Sequence, residues 1–261
     1  MFIVILTGIL KSGGIGSMIN FLGTPNFRHS ELSYGINELK IIKSTNMDKS
    51  LKLSEKLFCL AVNPKNGGIL LNASATLSMT LTGSVFVELL NKGLVSIEKG
   101  VVHLVNSTVQ NDEIHEFFLN RIRLRSKDRK MRNWISYFNV RGRKIQKLFI
   151  RNLVRKNVLR TEEKRILFIP YEKVYLMDRE LVENIRKDVE NASLGKITTN
   201  DDTLILSLMV SKTNLLSRIF PDRARRKEAA RNLKNLPETE ISKAVQEAIQ
   251  LMQAAVFVAA T

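Results

Sequence analysis

Arg143, Lys144, Lys147, Arg151 and Arg155 recur at helical spacing, and Ile145, Leu148, Phe149 and Leu153 interleave with them. The chemistry open to such a set is oxyanion binding. A guanidinium presents a planar fork of donors that fits two oxygens of a phosphate, and a nearby lysine adds a compact point charge. Arg141 extends the run on its N-terminal side. A second crowd of cations, Arg223, Arg225, Arg226, Lys227 and Arg231, follows Pro221 and Asp222, with Ala224, Ala229, Ala230 and Leu233 between them. Both segments read as helices with an apolar stripe and a basic exterior. For either helix alone, a solvated charged face is the plainest alternative.

Residues suited to covalent or metal chemistry are scarce. His29, His103 and His115 have no metal-ligand spacing to one another or to Cys59. Gly13-Gly14-Ile15-Gly16 has no strand before it and no Lys-Ser/Thr after it, so it is a weak phosphate-loop signal. Glu162 and Glu163 are adjacent in a predicted turn, which does not suit paired-carboxylate chemistry. Cys59 lies in the apolar run LFCLAV, reads as a small buried hydrophobe, and has no disulfide partner within the chain. No enzyme, cofactor or metal site is expected.

The 261 residues carry a formal charge of +16 with an ordinary hydrophobic content of 44%. That charge favours an anionic partner, either nucleic acid or an anionic membrane surface. The opening run Phe2 to Leu10 is too short to span a bilayer and lacks the positive leader of a secretory signal. Residues 1–46 show no sustained period and read as an arm, or as sequence upstream of the natural start. Met47 opens MDKSLKLSEKLFCLAVN, which reads as the beginning of a folded domain over 47–261. Later segments are too short or too charged to cross a membrane, so a soluble or peripheral protein is expected.

The elements that must position the cations are mostly helical. Leu51, Leu53, Leu57, Leu60 and Ala61 fit a short helix capped near Asp48 or Ser50, and Asn63 to Gly68 is a dense turn signal. Ala75 to Asn91 reads as one helix, with Gly83 inside it marking a close neighbour and Gly93 ending it. Two alternating runs around Lys99-Gly100 predict a hairpin. Helices follow over Asp112–Arg125, Met131–Phe138 and Arg143–Lys156, the last ended by Asn157. A second hairpin is expected, with Thr161 to Lys164 as its turn, Arg165 to Ile169 returning and Pro170 closing it. Helices at Arg179–Leu194, Asp201–Ser211 and from about Asp222 and Ile241 complete the chain. A hairpin joined to a helical pair also suits a winged helix.

The second hairpin carries a signal of another kind. Ile166, Leu167, Phe168 and Ile169 are apolar. If exposed, they can enter a bilayer interface and supply the second of the two signals that stable anchoring requires. Otherwise they pack on the core. Exposed apolar residues there favour a membrane, and exposed Lys or Arg favour nucleic acid. An apolar hairpin is also a surface through which two copies of the chain can pair.

Several segments in order resemble the Golgi phosphoprotein 3 family. They are LFCLAVNPKNGGIL, LTGSVFVELLNKGLVSIE, Asn133-Trp134-Ile135, LFIRNLVRKNVLRTEEKRILF, and the C-terminal PDR…ARNLKNL and AVQEAIQLMQAAVFVAA. The resemblance covers nearly all of residues 51–261. It implies a mainly α fold: a single helical domain whose helical core is ringed by further helices, with two small β-hairpins, one protruding and hydrophobic. It also implies a non-enzymatic peripheral membrane adaptor that binds phosphatidylinositol 4-phosphate on the cytosolic face. In eukaryotic members that lipid recruits the protein to the Golgi, where it links cytosolic tails of glycosyltransferases to a vesicle coat.

Carried over residue by residue, the first arginine of the family's lipid pocket falls on Arg143. The second falls on Gln146 with Lys147 adjacent, the third on Thr82, and the pocket tryptophan near Ala73. The arginine at 143 is kept and the other pocket residues are replaced, while Arg141, Arg143, Lys144 and Lys147 remain for a looser anion site. These departures and the C-terminal style resemble prokaryotic members. The leading expectation is binding to an anionic or phosphorylated lipid. The alternatives are nucleic acid, held by the same basic helices and a wing-like hairpin, and acidic tails of membrane proteins.

Overall fold

The computed structural model describes residues 50–125, 127–195 and 200–236. The expected arm 1–46, the start at Met47 and the expected helix from Ile241 lie outside them. In chain order the described elements are α1 (Leu53–Ala61), α2 (Leu71–Ser74), α3 (Leu77–Asn91), β1 (Val95–Glu98), β2 (Val101–Leu104), α4 (Glu113–Arg123), β3 (Arg129–Lys130), α5 (Met131–Asn139), α6 (Gly142–Arg155), β4 (Leu159–Ile166), β5 (Ile169–Leu176), α7 (Arg179–Ser193), α8 (Asp201–Lys212), α9 (Leu216–Ile219) and α10 (Arg223–Lys234). The fold is mainly α with two small antiparallel sheets, as the sequence predicts.

α3 is the central helix because it is apolar on nearly every side. Leu77, Leu81, Val85, Phe86, Val87 and Leu89 are all buried, and the helix contacts α1, α2, α4, α5, α6, α8 and β1. α8 is buried continuously from Ile205 to Val210, and α1 buries Leu57, Phe58, Cys59, Leu60 and Ala61. Around these lie amphipathic helices that bury one stripe each, such as Ile145, Leu148, Phe149 and Leu153 of α6. Aromatic rings tie the ring to the core. Phe149 stacks on Phe58 at 5.5 Å, and Phe138 stacks on Phe118 at 4.1 Å and on Trp134 at 5.8 Å.

A buried polar network links α1, α3, α4 and α6. Glu88 Oε1 accepts the Ser54 N–H at 2.7 Å, and Glu88 Oε2 lies 2.6 Å from His115 Nε2. Glu55 accepts Lys156 Nζ at 2.8 Å and the Lys52 N–H at 2.8 Å, and it also accepts Asn152 Nδ2. Asp112 caps α4 by accepting the His115 N–H and pairs with Lys52. Burial pushes the Asp112 carboxyl up, but the hydrogen bonds from Lys52 and His115 outweigh it and hold it below the usual carboxylate range. His115 is therefore a packed structural residue. Cys59 is fully buried, and burial raises its thiol far above the reactive range.

Helix ends follow the sequence where a residue can take the left-handed conformation. Gly93 (φ 64°) ends α3 and Asn157 (φ 57°) ends α6. Each is followed by a 6→1 hydrogen bond, Leu94 N to Leu89 O and Val158 N to Leu153 O, both 2.9 Å, the pattern of a Schellman cap. The first hairpin turns through Lys99 (φ 50°) and Gly100 (φ 76°), as a two-residue loop with two positive φ angles should.

The helix expected over Ala75–Asn91 is present as α3, starting two residues later at Leu77, with the short α2 before it. Three other features differ from the sequence reading. A Cβ on Gly83 would meet no neighbour within 4 Å, so that glycine marks no close approach. The short strand Arg129–Lys130 joins β2 as a third strand, invisible to hydrophobic patterning because both residues are cationic. In the second hairpin, Thr161 to Lys164 form part of strand β4, with Glu162 opposite Lys173 and Glu163 opposite Glu172. The turn is Leu167-Phe168, and Pro170 sits in β5 opposite Arg165.

Candidate functional site

α5 ends at Asn139 and α6 begins at Gly142, so a two-residue link, Val140 and Arg141, makes a sharp corner. Gly142 lets α6 start hard against α3. A Cβ at Gly142 would stand 3.0 Å from Ser78 Cβ and closer still to Ser78 Oγ. Gln146, one turn on, donates to the same hydroxyl at 3.4 Å. Between these groups lies an open cleft of about 660 Å³, lined by Ser78, Val140, Arg141, Arg143, Lys144 and Gln146 among others.

The electrostatics of this corner are lopsided. The N-terminal end of a helix carries partial positive charge and unpaired N–H groups, and carboxylates are the residues that suit it. α6 has no acidic residue in its first turn and no side-chain cap. It has Arg141 at the N-cap position, then Arg143 and Lys144. Arg141 is held in place: Nη1 donates to Tyr137 O at 2.8 Å, and its guanidinium lies 3.8 Å from the centre of the Tyr137 ring. Lys144 Nζ lies 5.3 Å from the centre of the Phe117 ring. Arg143 is exposed and makes no ion pair or hydrogen bond through its side chain among the described residues. Three cations at the positive end of a helix repel one another, and a bound oxyanion would relieve that repulsion.

The carried-over positions thus separate. Arg141, Arg143, Lys144 and Gln146 come together on the cleft. Lys147 is exposed one turn beyond Arg143 and does not line it. Thr82 and Ala73 are fully buried, and the Thr82 hydroxyl donates back to Ser78 O at 2.8 Å. Further along α6, Arg151 and Arg155 both pair with Glu113 of α4, which neutralises much of their field. Sequence reasoning missed Gly142 and Ser78. The signal available for the first was a glycine between two arginines at a helix start.

The hairpin β4–β5 is rooted by buried Leu159, Val174 and Leu176. Gly67 (φ 70°) packs on it so tightly that a Cβ there would lie 2.6 Å from Val174 O. Gly68 N donates to that carbonyl at 2.6 Å. Beyond Thr161 the ribbon runs about 17 Å to Ile166, with Glu163, Lys164, Arg165, Pro170, Tyr171 and Glu172 exposed along it. At the tip, Leu167 is 86% and Phe168 95% exposed. Leu167 sits at φ 56°, the left-handed region that a leucine adopts only at a cost of about 1–2 kcal/mol. The exposed tip is apolar, the feature that a membrane reading requires and a nucleic-acid reading does not.

No helix among the described residues is long and apolar enough to cross a membrane, and no cluster of His, Cys, Asp and Glu there could hold a metal ion. No curated protein matches the chain. A sequence model of the family described as Golgi phosphoprotein 3 (GPP34) matches residues 53–252, from the first residue of α1 to beyond α10. On that match, which spans well over half the chain, the protein belongs to the Golgi phosphoprotein 3 family.

Proposed function

We propose that the protein is a non-enzymatic peripheral membrane adaptor that attaches to anionic bilayers by two contacts. The cleft at the start of α6 takes a phosphate-bearing headgroup, of which phosphatidylinositol 4-phosphate is the family's expected form. The Leu167-Phe168 tip enters the interface. The observation that carries the reading is an exposed apolar turn, held in a costly backbone conformation, on a chain of charge +16. Each cation near an anionic surface contributes about 1 kcal/mol, and burying an exposed leucine or phenylalanine contributes about 2 kcal/mol. Neither anchor alone gives stable attachment, and together they do. Arg165, exposed beside the tip, adds a cation at the level of the headgroups.

In the cleft, Arg143 is the unpaired donor and Arg141 the one already held, with Lys144 supplying charge and Gln146 a neutral hydrogen bond. The cytosolic face of a membrane, with its anionic lipids, is the surface that suits this arrangement, and membrane-protein tails are the cargo that family membership suggests. Liposome flotation at low ionic strength tests the proposal. Binding to anionic but not neutral vesicles, reduced by Arg143→Ala, is the expected result. A purified protein that ignores anionic vesicles would overturn it.

A further inference from the structure

A second cavity, of about 340 Å³, lies among α7, α9 and the start of α10, and shares no lining residue with the α6 cleft. Three arginines line it, in unlike circumstances. Arg186 is committed: Nε donates to Glu183 Oε1 at 2.8 Å, and Nη1 to Glu190 Oε2 at 2.8 Å and Ile219 O at 3.1 Å. Arg225 is half exposed and reaches Glu190 Oε1 at 3.0 Å through Nη2. Arg218 is the exception. Its Nε is buried without a partner, and its guanidinium makes no ion pair or hydrogen bond among the described residues. Burial pulls its pKa below the usual arginine range; the Glu183 carboxylate opposes this in part, and the Arg186 charge reinforces it. Buried donors are nearly always satisfied, so an orphan on a cavity wall calls for a ligand.

The remaining wall sets the class of that ligand. Ile219, Phe220 and Pro221 are apolar, and Glu190 is already shared by Arg186 and Arg225. The one acidic residue besides it is Asp222, whose Oδ1 caps α10 by accepting the Arg225 N–H at 2.8 Å. The volume stands near the lower end of the range of about 300–1,000 Å³ typical of ligand pockets. We propose that this cavity binds a small phosphate-bearing anion, with Arg218 as the principal donor and Arg225 closing on its outer side. Guanidinium forks suit phosphate oxygens, and the apolar wall accepts a short carbon skeleton. The phosphate could belong to a free metabolite or to a lipid headgroup, since the recognising chemistry is the same.

The test uses protein carrying Arg143→Ala, which removes the unpaired donor of the α6 cleft, and reads the signal at Arg218 itself, so that this proposal and the membrane reading fail separately. Inorganic phosphate is titrated at constant ionic strength against chloride, and the Arg218 Nε–H resonance is followed with the thermal midpoint. A saturable shift of that resonance and a phosphate-specific rise in midpoint are expected. Arg218→Met should weaken the response about tenfold or more, yet fold with undiminished stability in the absence of phosphate, because it removes a half-buried cation whose Nε has no partner. Arg218→Lys, which keeps charge without the fork, should show an intermediate response and covers the case in which the methionine variant misfolds. Glycerol 3-phosphate and vesicles of phosphatidic acid then distinguish a soluble from a membrane source. A response no greater than chloride gives, or one that survives Arg218→Met undiminished, overturns the proposal.

Discussion

Replacing Leu167 with glycine should move two observables in opposite directions. At φ 56° a leucine bears about 1–2 kcal/mol of strain that glycine does not. Glycine's greater freedom in the unfolded chain offsets about 0.5–1 kcal/mol of that gain. The net is a stabilisation of about 0.5–1 kcal/mol, or about 1–4 °C in the thermal midpoint for a domain of this size. Membrane attachment should change the other way. Leu167 is 86% exposed, so insertion removes nearly its whole side chain from water. Losing that contribution, about 2 kcal/mol, weakens partitioning about 30-fold. The assay is a vesicle titration with an anionic lipid at low and high salt, run beside thermal denaturation. The tip's share should persist as salt rises, while the share from Arg143 fades with screening. A variant that partitions like the parent would refute the insertion argument. A fall of several degrees in midpoint would show that Leu167 packs on the protein. A change in molecular mass in solution would show that the tip joins two copies.

Two further perturbations test the packing behind the site and an ion pair elsewhere in the fold. Gly142→Ala should destabilise the fold by about 1–2 kcal/mol, the clash with Ser78 outweighing alanine's better helix propensity, and Ser78→Gly in the same chain should restore much of it; urea denaturation of the parent and the two variants decides. The Glu116 carboxyl is held at about 2 by hydrogen bonds from Arg123, aided by the Gln110 N–H and the Arg123 charge against a burial effect. A depressed carboxyl stabilises the fold above its unfolded value of 4.5 and loses that effect as pH falls towards about 2. Glu116→Gln should therefore be less stable than the parent near neutrality, by under about 1 kcal/mol for so accessible a pair, and the two should converge in acid melts near pH 2. A constant offset across that range would contradict the assignment.

Most of the longer helices were legible because they repeat an apolar face, and the ends of α3 and α6 because Gly93 and Asn157 can take left-handed conformations; the four-residue α2 and α9 are too short to show a period. The second hairpin was legible in existence but not in register. Its distal half is exposed on both faces, so no alternation marks Thr161 to Lys164 as strand, and their polarity mimics a turn. Its real turn carries Leu167 and Phe168 where turn chemistry asks for Gly or Asn, a local rule broken at the position proposed to act. The basic run on α6 was visible, but spacing could not show that Arg151 and Arg155 are tied to Glu113, or that Arg141 is pinned by Tyr137. The close approach of backbones falls at Gly142 and not at Gly83, a distinction that depends on which helix packs where. The Arg218 cavity left no trace, since an unpartnered donor is a property of packing alone.

The most direct test of the central claim is flotation at one ionic strength with three vesicle sets. One is neutral, one carries a simple anionic lipid, and one carries phosphatidylinositol 4-phosphate at matched charge. The account predicts binding to both charged sets, tighter to the phosphoinositide, with Arg143→Ala removing that preference and weakening binding to the simple anionic set only by the share of one surface cation, about 1 kcal/mol. Equal binding to both charged sets would strip the α6 cleft of its headgroup role. Absence of binding to either would contradict membrane attachment itself.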